Sequence, residues 1–160
     1  MGYMFGRWYS ISSLSFSLLL LAGFATSCNA QPASVELSPR ERTIATQSFA
    51  TERLAYWQKR LKLQEWHVTV EMARTSDLKP KTLGNIHWDT DKKTALIHVL
   101  DPADYHMPFR DMLKDMEFTV VHELIHLELA PTLSTVARNE ASRRTEEYAV
   151  NHIADALLGK

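Results

Sequence analysis

The sequence predicts an α+β domain: a small, mostly antiparallel three-stranded sheet packed with three main helices. Three observations predict it. Apolar residues recur at helical spacing in three separate stretches, near residues 44–61, 112–127 and 139–158. Between the first and second stretch lie three short runs of strand character. The resulting order, helix, three strands, helix, helix, is that of an α+β domain.

The chain of 160 residues fits one domain, and its 45% apolar and 23% charged content is that of an ordinary globular protein. A net charge of −1 leaves no electrostatic footprint for nucleic acid. The single cysteine, Cys28, excludes an internal disulfide and a four-cysteine zinc ribbon.

Residues 1–27 read as an export signal. Arg7 and the amino terminus precede an apolar run from Ile11 to Phe24, with no acidic residue before it. The run is shorter than the roughly 20 residues a spanning helix needs. Small residues Ala25-Thr26-Ser27 then lead to Cys28. The stretch resembles a lipobox, with Ala25 where leucine is commoner, which implies lipidation of Cys28 and a chain held at the cell envelope, periplasmic or on the outer surface. Simple secretion after cleavage at Ala30 is the alternative. Residues 28–40 carry Pro32 and Pro39 among polar residues and read as a tether.

The folded domain is expected over residues 41–160. Ile44, Ala50, Leu54, Trp57 and Leu61 mark the first helix. In "WHVTVEMA" the residues Trp66, Val68, Val70 and Met72 alternate with His67, Thr69 and Glu71, the pattern of a half-buried strand. "NIHWD" and "TALIHVL" form two further strands around the polar turn at residues 90–93. The second of these is apolar on both faces, so it belongs inside the sheet or along a cleft. Pro108 precedes the second long helix, and Pro131 sets its expected end near Leu129. The last helix runs from about Asn139 to Leu158, with Asn139 suited to its start and Gly159 to its end.

The second helix contains His122-Glu123-Leu124-Ile125-His126. At about 100° per residue, two histidines four apart fall about 40° apart on one face, so both imidazoles can converge on one tetrahedral ion. Glu123 lies about 100° from His122, near enough to reach a water at that ion without ligating it, as a general base must. The neighbours Val120, Val121, Leu124, Ile125 and Leu127 are apolar, and such polar groups are costly in an apolar helix without partners. His-Glu-x-x-His alone is suggestive, and a third ligand is needed. Leu129 and Thr132 stand where a metzincin carries glycine and histidine, which excludes that class.

On the last helix, Glu147 and Asn151 share one face, one turn apart. With this pair the chain resembles the gluzincin metallopeptidases, and in its size the small single-domain minigluzincins. The resemblance implies a zincin-like fold, Zn2+ held by His122, His126 and Glu147, and Glu123 as the catalytic base. It gives Asn151, in place of the family's aspartate, as the group that orients a ligand histidine. Glu146 is the alternative third ligand. It shares a face with Val150, Ile153 and Leu157, the expected core, so Glu147 is favoured.

Tyr148, His152, His98, Tyr105 and His106 are candidates for stabilising an oxyanion, and spacing does not choose among them. The implied function is zinc-dependent hydrolysis of a peptide or protein substrate, with membrane contact only through the lipid on Cys28. The alternative is an envelope binding or scaffold lipoprotein with a structural or vestigial metal site.

Overall fold

A computed structural model of the chain describes residues 37–159. The export signal, most of the tether and Cys28 lie outside the described residues. No helix among the described residues is long and apolar enough to cross a membrane.

Helix α1 spans Pro39–Arg60, starting two residues before the expected boundary. Ser38 is its N-cap, forming a capping box with Glu41, and Pro39 occupies the first turn, where its missing N–H costs nothing. Ala50, Leu54 and Trp57 bury one face. Strands β1 (His67–Ala73), β2 (Gly84–Asp89) and β3 (Thr94–Leu100) follow.

The sheet order is β1-β3-β2, and this corrects the expectation of a mostly antiparallel sheet. β2 and β3 form an antiparallel hairpin, but β1 pairs with β3 in parallel, so the sheet is mixed. The hairpin turn closes on the Asp89 side chain, which accepts from the backbone of Asp91 and Lys92, and on Lys93 in the left-handed region at φ 52°. β3 lies in the centre, and its Ala95, Ile97 and Val99, which share one face of the sheet, are buried in the core. Ile97 and Val99 are fully buried. Sequence alternation gives a strand's faces and says nothing of its direction, which the connection 74–83 decides by carrying the chain past β3.

Helix α2 spans Phe109–Leu133 and runs through the middle of the domain, against α1, α3 and the sheet. Met112, Met116, Val120, Val121 and Leu124 are wholly inaccessible to solvent. The helix passes Pro131 and ends four residues later than expected. A proline removes one helical N–H, but here it lies exposed in the last turn, where only one bond of the ladder is lost. The ladder closes again with Ser134 N–H donating to Ala130 O at 2.9 Å.

Helix α3 spans Glu140–Leu158, with Asn139 as N-cap and Gly159 left-handed at φ 70° beyond its end. Its buried positions are Val150 and Ala154, while Ile153 and Leu157, expected in the core, are exposed. The core-facing stripe is therefore rotated toward the side that carries Glu147 and Asn151.

Candidate metal centre

The rotation of α3 sets the site. His122 and His126 stand one turn apart on α2, and α3 crosses beside them with Glu146, Glu147 and Asn151. The Nε2 atoms of the two histidines lie 3.0 Å apart. Glu147 faces both, with Oε2 at 3.2 Å from His122 Nε2 and Oε1 at 3.5 Å from His126 Nε2. One ligand atom from each of the three residues lies within 4.8 Å of the others.

The far sides of the imidazoles assign their protons. His122 Nδ1 is 3.1 Å from the Asn151 carbonyl oxygen, which can only accept, so Nδ1 carries the hydrogen. His126 Nδ1 is 2.9 Å from Glu146 Oε1, and the same logic holds. With a hydrogen on each Nδ1, a neutral ring has its Nε2 lone pair turned toward the other ring and toward a carboxylate. Only a shared proton or a metal cation relieves that crowding. Burial, and then the positive charge that His126 would carry, push His122 below its usual range, which disfavours the proton. Two imidazole nitrogens and one carboxylate oxygen are a zinc donor set. The residues present fit such an ion.

Glu123 is 7% exposed. Burial, and after it the negative charge of Glu147, push its carboxyl up to about 8, with Lys79 opposing. It faces Gly84, the first residue of β2. A Cβ at Gly84 would collide with the Thr119 methyl, stand 2.6 Å from the His98 carbonyl oxygen and reach 3.5 Å from Glu123 Oε1. Glycine is thus required for close approach, letting the end of β2 rest on α2 beside the carboxyl. Nothing in the sequence singled out Gly84, because an isolated glycine before a strand is common.

These residues line a cleft of about 440 Å³. It is lined by His122, Glu123 and His126 of α2, by Glu147 and Asn151 of α3, and by Gly84, Ile86 and Trp88 of β2. β2 pairs with β3 alone, so its other edge is free among the described residues. Leu83 O accepts from Leu100 N at 2.9 Å, which makes 83 and 100 a hydrogen-bonded pair. By the alternation of an antiparallel ladder, Gly84, Ile86 and Trp88 then turn their N–H and C=O groups to the free edge.

None of the five expected oxyanion donors lines the cleft. Tyr148 is exposed and packs its ring on His152 at 4.2 Å. His98 Nδ1 is 2.9 Å from the Asn85 side-chain oxygen. Tyr105 is buried elsewhere in the core, and His106 is exposed. The polar side chains that do border the cleft, besides the metal-centre residues, include Lys79, Asn85 and Arg138. Spacing could not find them, since Lys79 and Asn85 come from a loop and strand distant in sequence and Arg138 lies outside the helical pattern.

Glu146 does not face the paired Nε2 atoms. It sits behind His126, with its side chain 9% exposed, while Glu147 is 56% exposed. Comparison with protein-family models, with curated proteins and with solved structures gives no match to this chain.

Proposed function

We propose that this protein is a zinc-dependent metallopeptidase, exported and held at the cell envelope by a lipid on Cys28. The observation that carries the reading is the convergence of two imidazole nitrogens and a carboxylate in the lining of a cleft, beside a buried Glu123 that takes no part in the ligand set. A purely structural site has no use for such a carboxyl.

Zinc, when bound, supplies a Lewis acid that polarises a carbonyl and acidifies water. Glu123 takes a proton from the attacking water and delivers it to the leaving amine. A base works best with a pKa near the working pH, and burial moves Glu123 in that direction. The free edge of β2 offers an extended peptide alternating donors and acceptors, so a substrate can lie along it as an added strand, above the histidines. Asn151 and Glu146 hold the two imidazoles with Nε2 inward.

The test combines metal analysis with a peptide library. The purified protein should bind one zinc, and His126→Ala should not. Glu123→Gln should keep the zinc and lose at least about 100-fold in cleavage rate. Cleavage by Glu123→Gln at the wild-type rate would remove the mechanism. If wild type and variant both bind zinc and neither cleaves any peptide, the scaffold reading replaces it.

A further inference from the structure

Arg138 is the last residue before Asn139, the N-cap of α3, so the Asn139–Ser142 capping box holds the backbone beside it. Its side chain reaches over the first turns of the helix, and Nη2 lies 3.2 Å from Glu146 Oε2. The other oxygen of the same carboxylate, Oε1, accepts from His126 Nδ1 at 2.9 Å. We propose that Arg138 and Glu146 form a positioning relay for His126, in which Arg138 acts through Glu146 to fix the tautomer and ring orientation that turn Nε2 inward. The inference rests on the reading of His122, His126 and Glu147 as a metal centre.

The charge arrangement supports it. Glu146 is nearly buried, and a buried carboxylate is costly unless a cation and hydrogen bonds satisfy it. Arg138 is the only cation paired with it among the described residues. One oxygen is taken by the guanidinium and the other by the imidazole, so the carboxylate cannot turn without breaking both contacts. A salt bridge serving only to tether the loop would not need its second oxygen on His126. His122, by contrast, is held by the neutral amide of Asn151. The two histidines thus have unequal support: a charged one for His126, anchored in the α2–α3 loop, and an uncharged one for His122.

The experiment uses the full chain at one fixed pH. In zinc-free protein, nitrogen NMR should show His126 as the Nδ1–H tautomer, and Glu146→Gln or Arg138→Gln should increase the Nε2–H form. Zinc affinity, read by chelator competition, should fall about 10-fold or more in each variant, the range for loss of a group that orients a ligand. The double variant should lose no more than Glu146→Gln alone, and Arg138→Lys should recover part of the loss. Circular dichroism of each variant checks the fold, and Arg138→Gln keeps most of the side-chain length so the loop is disturbed least. A wild-type His126 in the Nε2–H tautomer would overturn the relay. So would zinc losses that multiply in the double variant, or an Arg138→Gln protein with wild-type affinity. If the wild type binds no zinc, the metal reading fails, while the tautomer measurement still decides the relay.

Discussion

Replacing Glu123 by glutamine should stabilise the metal-free protein, and increasingly so as pH rises. The carboxyl is buried beside the Glu147 carboxylate, which pushes it up to about 8 from an ordinary 4.5. The folded state therefore holds its proton more tightly than the unfolded chain. Below about pH 4.5 both states are protonated and the buried group carries no ionisation penalty. Between about 4.5 and 8 the unfolded chain has released the proton and the folded chain has not, so stability falls by about 1.4 kcal/mol per pH unit. Above about 8 the loss is complete, at about 5 kcal/mol, and at pH 7 it is about 3 kcal/mol.

Glutamine never ionises, so it escapes this loss at every pH. Its amide needs partners much as the protonated acid does, and that difference costs on the order of 1 kcal/mol. At pH 7 the variant should then exceed wild type by about 2 kcal/mol. The assay is urea unfolding with a chelator present, followed by tryptophan fluorescence at pH 5, 7 and 8.5. The quantity read is variant minus wild type, so other titrating groups cancel. Saturating zinc should shrink the difference, since a nearby cation favours the charged carboxylate. A difference that stays constant across the pH range would refute the assignment of Glu123 as a carboxyl held uncharged by burial.

Gly84→Ala should destabilise the domain by about 1–3 kcal/mol, since the added methyl meets Thr119 and the His98 carbonyl at contact too close to relax; an unchanged denaturation midpoint would show that β2 need not approach α2 so closely. Asn151→Ala should weaken zinc binding about 10-fold or more, and Asn151→Asp should bind at least as tightly as wild type; chelator competition measures both. Labelling with a fatty-acid analogue should tag the wild type and spare Cys28→Ala, and equal label on both would end the lipid-anchor proposal.

The sequence by itself determined the helices and strands and the residues able to make a metal centre. Apolar periodicity is a local signal, and two histidines four apart on a helix share a face wherever that helix lies. The same local logic ran out at Pro131, where exposure near the helix end made the proline tolerable. It also ran out at Ile153 and Leu157, where being apolar did not mean being buried. What only the tertiary structure decided is how separate elements meet. The direction of β1 beside β3 depends on the path of a connection whose residues carry no strand signal. The division of work between Glu146 and Glu147 depends on which face α3 turns to α2. That rotation is set by Val150 and Ala154 packing on the core. The close approach of Gly84 to Glu123 joins residues far apart in the chain. Such contacts arise from packing, which adjacency in sequence does not encode.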